Sequence, residues 1–149
     1  MIAALLLAAG STIVVQPGGP VRTLTEALAR AKPGDRIVVR SGAYREPPIV
    51  VRVRVEIVGD GTPVLIGGTH STLEIRADGV LVRGMTFAGG TASMIEDRAA
   101  IFVDGVRDCR IENNRIEVPF FGVYLRATSG CRVLGNQVNG AGAGGGAAA

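Results

Sequence analysis

Between Ala99 and Val138 the sequence repeats itself, and that repeat leaves few folds open. Ile101-Phe102-Val103, a turn and Cys109-Arg110-Ile111-Glu112-Asn113-Asn114-Arg115-Ile116 form one copy. Val123-Tyr124-Leu125, a turn and Cys131-Arg132-Val133-Leu134-Gly135-Asn136-Gln137-Val138 form the next. Equivalent residues stand 22 apart: Ile101/Val123, Val103/Leu125, Cys109/Cys131, Ile111/Val133, Asn114/Asn136 and Ile116/Val138. A fixed period of this size marks stacked supersecondary units. Each copy holds two or three short strands with alternating apolar residues, broken by Gly, Asn, Asp and Ser turns. No helical pattern separates the strands, so each must lie over its equivalent in the preceding coil. The expected fold is all-β: a right-handed, single-stranded parallel β-helix.

The same phrase runs upstream. Val80-Leu81-Val82-Arg83-Gly84 and Val55-Glu56-Ile57-Val58-Gly59 match Cys109-Arg110-Ile111-Glu112-Asn113, and Ile37-Val38-Val39-Arg40-Ser41 is a fifth, weaker copy. The successive spacings are 18, 25, 29 and 22 residues, which places loop insertions in the earlier coils, the largest near Gly89 to Arg98.

At 149 residues the chain makes one domain. Aromatic residues are 4% of it, Trp is absent and Gly numbers 22, a balance that favours stacked β-branched ladders over an aromatic core. The net charge of +3 comes from arginine, since Lys32 is the single lysine. Arg52, Arg54, Arg76, Arg83, Arg110 and Arg132 fall at outward strand positions and are dispersed. A nucleic-acid footprint needs a concentrated basic stripe with stacking aromatics, so nucleic acid is not an expected partner. The two cysteines belong to no CxxC or CxxH element and give no zinc signature.

Residues 1–10, MIAALLLAAG, are apolar but too short to span a bilayer, which takes about 20 residues. They read as the remnant of a secretory signal, without its basic start, and imply export. The β-helix domain is expected over 11–140. Ser11 to Val15 is a first strand, and 23–31 is the one convincing helix, with Thr23 and Glu26 as a capping-box pair. Leu24, Ala27, Leu28 and Ala31 make one apolar stripe, suited to covering the open end of the first coil. Lys32-Pro33-Gly34-Asp35 stops the helix. Ile37 to Arg40 is read as a rung, Ser41 to Glu46 as a loop, Ile49 to Val58 as one long strand and Gly59 to Pro63 as a turn. Residues 141–149, AGAGGGAAA, are a low-complexity tail expected to be disordered. No C-terminal cap is visible, and a bare coil end is an aggregation hazard that the rest of a longer chain or a partner would cover.

Few residues point to chemistry. Asn114 and Asn136 are equivalent turn residues, suited to side-chain hydrogen bonding along the stack. Cys109 and Cys131 are equivalent and should stack about 4.8 Å apart on the interior ladder. They read as small core residues, with a soft thiolate pair for Cu(I) as the functional alternative. His70, the only histidine, and Met94 supply imidazole and thioether, ligand types that suit copper. Met85 matches Asn114 and reads as packing. Glu96, Asp97, Asp104 and Asp108 are the candidate carboxylates for cleaving a polysaccharide bound along one face. No Ser/His/Asp set, phosphate loop or nucleotide fingerprint is present, so no catalytic residue is assigned and no enzyme activity is expected.

Taken together, TIVVQPGGP, RTLTEALARAKPGDRIVVRSGAYRE, TLEIRADGVLVRGMTF, IEDRAAIFVDGVRDCRIENNRIEVPFFGVYL and GCRVLGNQVNG resemble the N-terminal part of the NosD family. The opening phrase and cap helix are shared by many pectin-lyase-like β-helices, whereas Glu96 to Ile101 through Phe120 to Leu125 is more specific. The resemblance implies a periplasmic, non-enzymatic accessory protein for copper-site assembly in nitrous-oxide reductase. Its implied partners are the reductase, ABC transporter subunits and a copper chaperone, with copper as the metal handled and no membrane span in the chain itself. Family members are much longer and no fixed copper motif carries over. The alternative reading is a carbohydrate-binding or carbohydrate-cleaving β-helix.

Overall fold

The computed structural model describes residues 10–68, 70–89, 99–118 and 121–140, with Val118 described by its backbone alone. The apolar leader to residue 9, Met94, Glu96, Asp97, most of the expected insertion and the tail 141–149 lie outside the described residues.

The chain winds as a parallel β-solenoid of about 5 turns. The first strand, β1 (Thr12–Val15), is followed by helix α1 (Leu24–Arg30). Then come β2 (Arg36–Arg45), β3 (Ile49–Val51), β4 (Glu56–Gly67) and β5 (Leu73–Ile75). Next are β6 (Leu81–Arg83), β7 (Thr86–Gly89), β8 (Ala99–Asp104), β9 (Arg110–Glu112) and β10 (Arg115–Val118). The last coil holds β11 (Phe121–Arg126), β12 (Arg132–Leu134) and β13 (Gln137–Gly140). One sheet stacks β1, β2 and β4, whose two ends continue as separate columns, β6-β9-β12 and β7-β10-β13. The second sheet stacks β3, β5, β8 and β11. Every named pairing is parallel.

Residue alternation along each short strand fills the interior with apolar ladders. Ile37, Ile57, Val82 and Ile111 pair in register, and each is 0% exposed. Tyr44, Leu65, Phe87 and Ile116 form the next column, and Val51, Ile75 and Val103 a third. Fully burying a side chain of this size is worth about 1.5–3 kcal/mol, so a stack of such ladders holds the solenoid without an aromatic core. Gly84, Asn113 and Gly135 occupy the same turn of successive coils, all at positive φ (72°, 53° and 68°). Gly needs no side-chain room there and Asn tolerates it.

Helix α1 closes one end, with Leu24 and Ala27 buried and Leu28 and Ala31 packed against the core. It lies against β1 and β3. Thr23 accepts from the Glu26 N–H at its N-terminus, and Ala31 is its C-cap. At seven residues it is too short to hold alone. A carboxylate from further along fixes it: Glu46 accepts from the Leu24 and Thr25 N–H groups at 2.9 Å and from the Thr25 hydroxyl at 2.6 Å.

Several boundaries differ from the sequence reading. The stretch Ser41 to Arg45 is strand, not loop, because β2 runs on through a register irregularity between Arg40 and Gly42. Tyr44 thereby enters the core, its hydroxyl donating to the Arg40 carbonyl at 2.6 Å. Likewise β4 continues through Gly59 to Pro63. Ile49 to Val58 is not one strand: the chain turns a corner between Val51 and Glu56, leaving one sheet for the other. Ile37 pairs with Ile57 rather than Val55, two residues further on, which preserves the inward face.

Candidate functional site

Cys109 and Cys131 occupy the turns that enter β9 and β12, one directly over the other. The structure joins them by a disulfide, with Cα atoms 4.4 Å apart. Stacked rungs bring two equivalent residues within the range a disulfide spans. Cys109 is 0% exposed, and its N–H lies 3.1 Å from the Cys131 sulfur, which accepts from it. A disulfide has no thiolate, so the expected Cu(I) pair exists only in the reduced protein.

His70 is exposed, in the loop entering β5. It lines a shallow cleft of about 190 Å³ with Glu46, Pro48, Ser71 and Thr72. The cysteines enter strands of the other sheet, and the structure does not bring His70 to them. Met94, the other candidate copper ligand with His70, is outside the described residues. Among the described residues no three His, Cys, Asp or Glu side chains converge as a metal site. Asn114 and Asn136 do stack: Asn114 Nδ2 donates to Asn136 Oδ1 at 3.0 Å and to the Val82 carbonyl at 3.0 Å. Met85 is buried at 1% exposure, as packing.

The densest side-chain chemistry lies on the outer face of β5, β8 and β11. Phe102 and Tyr124, register partners on adjacent rungs, stack with ring centroids 5.3 Å apart. Phe121 meets Tyr124 edge-on at 5.7 Å. The Arg126 guanidinium lies 5.0 Å from the Phe102 centroid and donates to both oxygens of Asp104, at 3.1 and 2.8 Å. Arg76 reaches Asp104 from the rung below at 3.3 Å and Glu74 at 3.2 Å. The Arg126 hydrogen bond chiefly holds the Asp104 carboxyl below the usual carboxylate range; partial burial opposes it, and the charges of Arg126 and Arg76 assist. Asp104 is therefore a fixed counter-ion between two arginines. Asp108 is exposed at a turn with φ 57°.

The cysteine pair was visible in the sequence as a stacked couple, but not as a bond. Asp104 stands out in the sequence only as a carboxylate and not as part of a face with Phe102, Tyr124 and Arg126, although the 22-residue register pairs Phe102 with Tyr124 and Asp104 with Arg126. That register was the signal that could have found it.

No solved structure matches the chain. Over 81 residues it is 33% identical to the protein named "Probable ABC transporter binding protein NosD" from Stutzerimonas stutzeri. That alignment covers 54% of this chain and 19% of the relative, so the chain spans about a fifth of that protein. The profile of the family described as "Protein of unknown function (DUF1565)" matches residues 15–147. The capping helix and every strand after β1 fall within that match, and the chain belongs to the DUF1565 family.

Proposed function

We propose that the chain is a non-enzymatic scaffold module of an exported, NosD-like accessory protein. It would serve copper-site assembly in nitrous-oxide reductase beside an ABC transporter and a copper chaperone. The observation that carries this reading is the 81-residue likeness to NosD, a protein whose name makes it a probable ABC transporter binding protein. Two structural features support it. The Cys109–Cys131 disulfide suits an oxidising compartment such as the periplasm. Asp104, one of the candidate carboxylates, is bound between Arg76 and Arg126 rather than poised to exchange a proton. Among the described residues no helix is long and apolar enough to cross a membrane.

Copper in this reading is cargo. Its ligands would come from Cys109 and Cys131 after reduction, with His70 and Met94 as the separate soft pair. The test is deletion of the gene in its own host, followed by purification of nitrous-oxide reductase. The expected result is reductase protein at its normal level with depleted copper; a fully loaded reductase would exclude the role. Anaerobic Cu(I) titration of the reduced chain against a chromophoric chelator would assign the ligands. The Cys109→Ser/Cys131→Ser and His70→Ala/Met94→Leu variants would be titrated beside it.

One observation favours a second reading. The exposed Phe121 ring and the half-buried Tyr124 ring beside Arg126 and Asp104 form the kind of surface that holds a sugar ring. Calorimetry with neutral and acidic oligosaccharides would decide it, with binding lost in Tyr124→Ala if it holds.

A further inference from the structure

Strands β2 and β4 present two pairs of opposite charges in register, and only one pair closes. Arg36 faces Glu56 and reaches it at 2.9 Å. Arg40 faces Asp60 further along the same strands, and the two make no ion pair. Both are exposed, and among the described residues neither side chain has another partner. The cause is local. Among the named pairings the register breaks here, between Arg40 and Gly42, where β4 sets Gly61 and Thr62 against Ser41 alone on β2. A bulge of this kind re-aims the side chains beside it. It is held from both strands. Tyr44, 4% exposed, donates its hydroxyl to the Arg40 carbonyl at 2.6 Å. The Thr62 N–H donates to Ser41 Oγ at 2.8 Å. Gly61 stands over that hydroxyl at φ 82°, where a Cβ would collide with Ser41 Oγ.

The result is a cleft of about 410 Å³, lined by Gln16, Pro17, Arg40, Ser41, Asp60 and Gly61. That volume lies in the range of small-molecule sites, about 300–1,000 Å³. The cleft crosses three successive coils on their outer side and is no part of an end of the stack. Its hydrogen-bonding capacity is unused: the Arg40 guanidinium donates, the Asp60 carboxylate accepts, the Gln16 amide does both, and the Ser41 hydroxyl keeps its proton to give. The two charges cancel, so a simple anion is opposed by Asp60 and a simple cation by Arg40. A ligand that carries both signs satisfies both groups through charge-assisted hydrogen bonds, which are the strong ones. We propose that this cleft binds a small zwitterion with a primary ammonium and a carboxylate, the chemistry of a free α-amino acid. The carboxylate would meet the Arg40 guanidinium and the Ser41 hydroxyl, and the ammonium would meet Asp60. None of these residues enters the copper or the sugar reading, and the inference is independent of both.

The test is an amide NMR titration of the 149-residue chain with L-alanine. Propionate and ethylamine are the half-ligands, with one charge each, and glucose is the neutral probe. The expected result is saturable shifts at the amides of Gln16, Arg40, Ser41 and Asp60 to Thr62, with a Kd of about a millimolar. Each half-ligand should bind about tenfold more weakly or worse, and glucose should shift nothing there. Asp60→Asn should weaken L-alanine about tenfold without weakening propionate. Arg40→Gln should weaken L-alanine equally without weakening ethylamine. Both side chains are exposed, so neither change should disturb the fold, and unchanged amide positions in β6 and β9 check that. The proposal is overturned by an absence of shifts at the cleft, or by propionate, ethylamine or glucose binding as tightly as L-alanine. It is equally overturned by L-alanine binding that both variants leave intact.

Discussion

Asn114 shows how one side chain binds three coils. It is 2% exposed. Its Oδ1 accepts from the Met85 N–H at 3.0 Å, and its Nδ2 donates to the Val82 carbonyl and to Asn136 Oδ1. Its own N–H also donates to Asn136 Oδ1, at 2.9 Å. Asn114→Ala leaves the Met85 N–H and the Val82 carbonyl short of partners inside the fold. Such a loss costs about 2–3 kcal/mol, readable as a lowered urea midpoint. Asn136→Ala, in the half-exposed last coil, should cost about 1 kcal/mol. Equal effects, or the reverse order, would show that the ladder does not work through burial. The equivalence of these two residues was legible because one exact period relates them. The partnership of Arg76 with Asp104 was not, since the preceding coil is longer and the pair is 28 residues apart. Irregular spacing hides a neighbour that the register makes plain. The bond between the cysteines was hidden differently: their stacking follows from the period, but oxidation state is not a property of spacing.

At the scale of elements, the cap helix depends on a residue well beyond it. Thr23 and Glu26 marked its start, and Thr23 does accept from the Glu26 N–H. The Glu26 carboxylate, however, accepts from the Arg22 N–H at 3.4 Å rather than reaching back to Thr23. The stronger cap is Glu46, which engages two amides and a hydroxyl at the positive end of the helix. It follows β2, in a stretch that reads as loop because Gly42 and the Pro47-Pro48 pair mask the strand between them. Glu46→Ala should destabilise the protein by about 1–2 kcal/mol and Thr23→Ala by about 1 kcal/mol. Amide exchange at Leu24 and Thr25 should rise first in the Glu46 variant. Should Glu46→Ala unfold at the wild-type urea midpoint, the helix is held by its apolar stripe alone.

Over the whole molecule, stability should fall from the capped end to the open one, because each coil of a solenoid touches only its neighbours. Ile57 and Val82 are 0% exposed with coils on both sides, whereas Val133 is 40% exposed with a coil on one side. The apolar burial that docks β12 and β13 is thus about half of what holds β6 and β7. What offsets this is the disulfide, which closes a loop of sequence separation 22 across the last two coils. Closing a loop of that size is worth about 3 kcal/mol. Its effect should be local, since opening the last coil need not disturb the ladders from Ile37 to Ile111. Native-state hydrogen exchange gives the check. In the oxidised chain, amides of β4 and β6 should exchange only through global unfolding, and those of β12 and β13 through a smaller opening. Reduction by a phosphine, or Cys131→Ser, should speed exchange in β12 and β13 by roughly a hundredfold, the equivalent of that loop term. The amides of β2 and β4 should not change. An equal acceleration along the whole stack would mean that the solenoid unfolds as one unit and that the disulfide stabilises all of it. No acceleration anywhere would mean that the packing of Val123, Val133 and Val138 on Ile101, Ile111 and Ile116 holds the last coil unaided.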